Sequence, residues 1–137
     1  MKALLLLSLP LLLAACTSQT CTLMHAPDNV DVQLVADSWA PGTYEVEALG
    51  EICTVVLPAV TDPSCSGTVL GLALSEDDSG LASVTLWEAA PDAFDLTIRL
   101  DGVELLSEEV VPSYVEDEPN GEGCGIRRSG TASISLD

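Results

Sequence analysis

Phe94-Asp95-Leu96-Thr97-Ile98-Arg99-Leu100-Asp101-Gly102 decides the fold of this 137-residue chain. Phe94, Leu96, Ile98 and Leu100 alternate with Asp95, Thr97 and Arg99, so an extended backbone puts the apolar side chains on one face and the polar ones on the other. Asp101-Gly102 ends the run with a pair suited to a type I′ turn, which needs positive φ at both central residues. Val103 to Val111 is the expected return strand. A helix can be forced onto Glu104 to Val111, but its position directly after Asp-Gly argues for strand.

Outward from that hairpin the period of two recurs. Val30, Val32, Leu34 and Ala36 alternate with Asp31, Gln33 and Val35, and Asp37 to Gly42 turns the chain with Trp39, Pro41 and Gly42. Tyr44, Val46 and Ala48 alternate with Glu45 and Glu47. Leu49-Gly50-Glu51 is the next expected hairpin turn, and Ile52 to Leu57 returns from it. Because Ile52 and Val56 oppose Cys53, Val55 and Leu57, both faces of that strand are apolar and a central place is expected. Pro58 to Gly67 reads as loop, Thr68 to Leu74 as strand, Ser75 to Gly80 as an acidic turn and Leu81 to Trp87 as strand, with a break at Pro91-Asp92. After Pro112, Tyr114 to Gly125 reads as a long loop, and Ala132, Ile134 and Leu136 mark one last strand. About eight strands with turn residues between them, and no helical period past residue 15, predict an all-β, antiparallel β-sandwich of transthyretin-like or immunoglobulin-like type. Neither a tyrosine corner nor a Cys…Trp…Cys framework is evident, so an antibody-type domain is not expected.

At the other end of the chain, Met1-Lys2 precedes a run of Leu and Ala from Ala3 to Ala15, broken only by Ser8 and Pro10. The run is too short for a hydrocarbon core, which needs about 20 apolar residues, and it fits a secretory signal. It closes on Leu13-Ala14-Ala15-Cys16, which resembles the bacterial lipobox at all four positions. That resemblance implies cleavage after Ala15, a diacylglyceryl thioether on Cys16 and a further acyl chain on its new amino group. One chain binds a bilayer only reversibly, whereas several make a durable anchor. Thr17 follows, where an Asp would imply inner-membrane retention, so the resemblance implies the outer membrane over the inner. The expected organisation is a signal peptide at 1–15, a lipidated tether at 16–27 and a β-sandwich domain at 28–137.

Cleavage leaves 122 residues (137 less 15), enough for one domain with a real core. It removes Lys2 and takes the formal charge from −18 to −19, with 22 acids facing Arg99, Arg127 and Arg128. Nucleic acid is recognised through basic patches, so it is excluded as a partner. Attraction to anionic lipid is excluded too, which leaves the lipid on Cys16 as the link to a membrane.

Four cysteines remain once Cys16 is lipidated: Cys21, Cys53, Cys65 and Cys124. An even set in an exported domain implies two disulfides, with three possible connectivities. Cys65 lies within reach of Cys53, and closing that 11-residue connection would contribute roughly 3 kcal/mol by chain entropy. Cys21 follows Cys16 by five residues, a span of at most ~18 Å. A disulfide from Cys21 to the domain would therefore hold the domain close to the membrane.

Catalytic patterns are missing. The single histidine, His25, falls in the tether, there is no Gly-x-Ser-x-Gly, and no Cys-x-x-Cys spacing favours zinc or redox chemistry. With 22 acids some carboxylates must be neighbours, so their proximity says nothing about glycoside hydrolysis. No cofactor pattern occurs. Two acidic stretches stand out: Glu76, Asp77 and Asp78 on one turn, and Glu116, Asp117, Glu118, Asn120 and Glu122 on the long loop. Calcium takes 6–8 oxygen ligands, so Glu116, Asp117, Glu118 and Glu122 are candidates for a weak site, although neither stretch has Asp-x-Asp-x-Asp-Gly spacing. Arg127-Arg128 beside the second stretch reads as its neutralising partner.

Taken together, Cys16, Cys21, Pro41-Gly42-Thr43-Tyr44, Cys53 with Leu57-Pro58, Asp101-Gly102 and Pro119-Asn120-Gly121-Glu122-Gly123-Cys124 resemble a group of uncharacterised bacterial surface lipoproteins. Members tend to carry one more cysteine shortly after the Pro-Asn-Gly loop cysteine, where this chain has Ile126-Arg127-Arg128. Against that pattern Cys124 needs a distant partner, and Cys21 is left once Cys53 takes Cys65. The resemblance implies a location and a fold but no activity. The expected function is a lipid-anchored, non-enzymatic structural or interaction module of the cell envelope with a protein partner there. The alternative is a lipoprotein that binds calcium or a small ligand through its acidic loops.

Overall fold

In a computed structural model that describes residues 20–22 and 24–137, ten strands form two five-stranded sheets, with no helix among the described residues. The strands are β1 (Asn29–Val35), β2 (Gly42–Ala48), β3 (Glu51–Leu57), β4 (Ser64–Cys65), β5 (Leu70–Leu74), β6 (Leu81–Trp87), β7 (Phe94–Leu100), β8 (Val103–Val110), β9 (Ser113–Asp117) and β10 (Arg127–Ser135). One sheet runs β5-β6-β1-β10-β9 and the other β4-β3-β2-β7-β8. The signal segment 1–15, Cys16 and Thr17 lie outside the described residues.

The alternation read from the sequence sets the inward faces. Val30, Val32 and Leu34 of β1, Tyr44, Val46 and Ala48 of β2, and Phe94, Leu96 and Ile98 of β7 are buried together between the sheets. Each fully buried side chain of this kind contributes about 1.5–3 kcal/mol against its exposed state. The outward positions of the same strands are polar apart from Val35 at the end of β1: Asp31 and Gln33, Glu45 and Glu47, Asp95, Thr97 and Arg99. Asp101 and Gly102 both have positive φ, at 50° and 81°, as the hairpin required.

The strand order is that of an immunoglobulin-type sandwich, in which strands A-B-E-D form one sheet and C-F-G, extended by C′, the other. Here β10-β1-β6-β5 and β3-β2-β7-β8 follow those two orders. The occupant of the A position is the last long strand of the chain, and it runs parallel to β1 over seven residue pairs, from Asn29↔Ser129 to Val35↔Ser135. All other pairings are antiparallel.

Several expectations need correction. β4 falls inside the segment read as the Pro58–Gly67 loop, because Cys65 pairs with Cys53 across the backbone ladder as well as through sulfur. β9 falls at the start of the segment read as the Tyr114–Gly125 loop, and β10 begins at Arg127, five residues before Ala132. β3 is not central: its outer neighbour is only the two-residue β4, and Val56 on its outward face is 58 % exposed. A tyrosine does reach back to its own upstream backbone, but on β2 in the C position and not at the start of β7: Tyr44 Oη donates to the Ala40 carbonyl four residues earlier at 2.9 Å. Burial of that phenol raises its pKa. Trp39 meets Tyr44 edge-on with ring centroids 5.5 Å apart. It lies flat against Gly80, where an added Cβ would come within 2.1 Å of the indole.

The β2–β3 turn places Leu49 at φ 51° and Gly50 at φ 77°, the same pair of positive angles as Asp101-Gly102. Leucine pays a steric penalty there that asparagine largely escapes, and Asn-Gly is the favoured pair for this turn. Leu49→Asn is therefore expected to raise unfolding stability by about 1 kcal/mol, read as a higher urea midpoint at unchanged slope.

Candidate functional site

Residues 20–22 and 24–28 are drawn onto one end of the sandwich by the loop between β9 and β10. Cys21 is disulfide-bonded to Cys124, with Cα atoms 5.6 Å apart. Asn120 adds a two-way clasp: its Oδ1 accepts from the Met24 amide and its Nδ2 donates to the Met24 carbonyl, each at 3.0 Å. The Thr22 amide donates to the Asn120 carbonyl at 3.1 Å, and the Arg128 amide donates to Asp28 Oδ1 at 2.7 Å. His25 Nε2 lies 3.2 Å from Glu88 Oε1, on the connection leaving β6. The stretch read as a tether is thus fastened to the domain from Cys21 onward. Asn120, grouped by sequence with the acidic candidates, is the residue that fastens it. The other disulfide, Cys53–Cys65, joins β3 to β4.

The four candidate calcium ligands do not converge. Glu116 and Asp117 are consecutive on β9, so their side chains leave opposite faces of the sheet. Glu116 turns inward to Arg128, with Nε to Oε1 at 3.7 Å, while Asp117 turns outward to Arg127, whose Nε donates to Oδ1 at 2.9 Å. The Arg127 hydrogen bonds hold the Asp117 carboxyl below its usual range. Glu118 Oε1 accepts from the Gly123 amide at 2.9 Å and shapes the loop. Among the described residues no group of three or more His, Cys, Asp or Glu side chains is placed to hold a metal ion.

Arg128 has a further structural task. Its guanidinium stacks 4.0 Å over the Tyr114 ring, and it also reaches the Ala90 carbonyl at 3.3 Å and Asp92 at 3.6 Å. Tyr114 Oη donates to the Pro91 carbonyl, and the ring covers Gly130, where a Cβ would come within 2.6 Å of it. β9 and β10 are locked in this way to the connection between β6 and β7.

At the opposite end, the acidic turn is built around Asp77. Its Oδ1 accepts from the Ser75 and Ser79 hydroxyls at 2.8 and 2.7 Å and from the Ser79 amide at 3.2 Å. These bonds, Ser79's first, hold the Asp77 carboxyl down at about 2. Beside this end a depression of about 350 Å³ is lined by Trp39, Tyr44, Leu100, Leu105 and Leu136. Two polar groups at its rim bond each other, the Asp37 amide donating to Asp137 Oδ1 at 3.1 Å, and Tyr44 Oη is held by Ala40.

No protein-family model, curated protein or solved structure matches the chain.

Two measurements follow from this geometry. With Glu116 and Asp117 on opposite faces and both beside arginines, millimolar Ca²⁺ and NaCl of equal ionic strength are expected to raise the melting temperature of residues 17–137 equally, by screening. A rise specific to calcium would restore the cation reading; at 100 times its dissociation constant it would add about 2.7 kcal/mol. Asp77 holds its proton more weakly folded than unfolded, so its stabilising effect is full above the ordinary value of 3.8 and is lost as pH falls towards about 2. Asp77→Asn is expected to flatten stability against pH in that window and leave the slope above pH 5 unchanged, as measured by urea unfolding at each pH.

Proposed function

We propose that this chain is a lipid-anchored protein of the bacterial cell envelope, attached through acyl chains on Cys16 and serving as a non-enzymatic structural or interaction module. The observation that carries the reading is Leu13-Ala14-Ala15-Cys16 at the end of a short apolar run, set five residues ahead of a cysteine fastened to the domain. A lipidated cysteine followed at once by a disulfide and the Asn120 clasp makes mechanical sense for a domain to be held close to a bilayer. The non-enzymatic part of the reading is supported by where the reactive groups are spent. His25 is exposed and beside Glu88, and the three arginines of the described chain each lie against carboxylates. The resemblance to bacterial surface lipoproteins supports the same reading, with Thr17 favouring the outer membrane.

The test is expression of the whole chain in a bacterium with a lipoprotein-processing pathway. The wild type is expected in the detergent phase after phase partition, with a mature mass equal to residues 16–137 plus the acyl groups. Cys16→Ser is expected in the aqueous phase. Equal partition of the two forms would sink the proposal.

A further inference from the structure

We infer that the domain stands end-on on its membrane, with the Cys21–Cys124 end against the lipid and the end bearing Trp39 and the Asp101-Gly102 hairpin directed away. The inference rests on the lipid attachment proposed above and adds the orientation, the contacting residues and the occupant of that end, which is the bilayer itself.

The covalent path selects the end. From Cys16 to Cys21 the chain spans at most ~18 Å, and Cys21 is bonded to Cys124 at the tip between β9 and β10. The bonds from Asn120 to Thr22 and Met24, and from Arg128 to Asp28, keep those residues on the same tip, so they add no slack to the link. The other end lies a full strand away: β1 alone covers seven residues, roughly 23 Å at ~3.3 Å each.

Surface chemistry then separates standing from lying. The outward faces of both sheets carry charge across their breadth, with Asp31 and Asp117 on one and Glu45, Glu47 and Asp95 on the other, beside single exposed valines such as Val115 and Val56, and a bilayer offers the charged groups no partners. The attached tip exposes Met24 and Ile126, at 59 % and 63 %, on the segment and loop that Cys21–Cys124 joins. Leu49, in the strained turn between β2 and β3, is half-exposed at the same end, so both sheets contribute apolar groups there. Apolar exposure by itself would not choose the end, since Val60 at the far end is 95 % exposed; the link to Cys16 does. Glu88, Glu116, Glu118 and Glu122 at the near end oppose contact with anionic lipid, so the orientation is expected on zwitterionic surfaces.

The chain carries its own reporters, because Trp87 ends β6 near the attached end and Trp39 sits at the opposite one. The full lipidated chain would be placed in phosphatidylcholine vesicles carrying a dansyl group on a fraction of their headgroups. Energy transfer would be compared between Trp39→Phe, which leaves Trp87, and Trp87→Phe, which leaves Trp39. Trp87 is expected to transfer several-fold more than Trp39. Equal transfer would mean a domain lying on its side, and stronger transfer from Trp39 an inverted one; either overturns the inference. Flotation of the vesicles is read first: a chain that does not float with them overturns the lipid attachment itself and the orientation with it. Since Trp39→Phe disturbs the packing on Tyr44 and Gly80, the unaltered chain supplies a second reading. Met24 is the one methionine past residue 15, and its hydroxyl-radical oxidation is expected to be several-fold slower on vesicles than in unlipidated Cys16→Ser. An unchanged rate overturns the orientation.

Discussion

The parallel pairing of β1 with β10 is the constraint on which the rest of the sandwich depends. It joins residues about a hundred positions apart and sets them in the middle of one sheet, so that β6 and β9 can only flank them. A parallel pair cannot be closed by a tight turn, and its formation carries the entropy of the longest loop in the molecule. The Cys21–Cys124 bond closes that same loop just ahead of both strands. In the chain-entropy account a loop of ~100 residues is worth about 4.7 kcal/mol, a substantial share of the stability of a small domain. The disulfide and the central pairing thus act on one closure from two sides.

How much of this was legible depended on whether a strand's inward face carries apolar side chains. β7 and β8 could be read directly, because Phe94, Leu96 and Ile98 alternate and Asp101-Gly102 dictates the turn. β9 and the first half of β10 could not. Their inward positions are Tyr114 and Glu116 on one, Arg128 and Gly130 on the other. The inward packing there is an arginine stacked on a tyrosine that lies over a glycine, and a hydrophobic period has nothing to register. β3 misled in the opposite direction: Val56 and Ile52 gave it a second apolar face, yet only the two-residue β4 lies outside it. The Tyr44–Ala40 bond was written in Ala40-Pro41-Gly42-Thr43-Tyr44, but its signal is one hydroxyl reaching back four residues, which periodicity does not see.

The candidate site was legible as composition and not as geometry. Counting acids between Tyr114 and Cys124 suggests a cation site; placing Glu116 and Asp117 on a strand sends them to opposite faces. Arg127 and Arg128 then follow them, one to each side, so the same alternation that separates the carboxylates also distributes the positive charge. Asn120 was the residue hardest to weigh, because an amide's contribution lies in the two backbone groups it happens to face, here both on Met24.

One consequence of the long-range disulfide concerns force. A chain held at Cys21 and pulled at Asp137 would, without the bond, lengthen by all of the 116 residues between them except the 12 closed by Cys53–Cys65, roughly 350 Å. With Cys21 joined to Cys124 the load bypasses β1 to β9 and reaches β10 directly. Only the 13 residues from Cys124 to Asp137 can be drawn out, roughly 45 Å, and they must be sheared from β1 and β9 to do so. The domain is a short, stiff link along that axis whatever the state of its remaining strands.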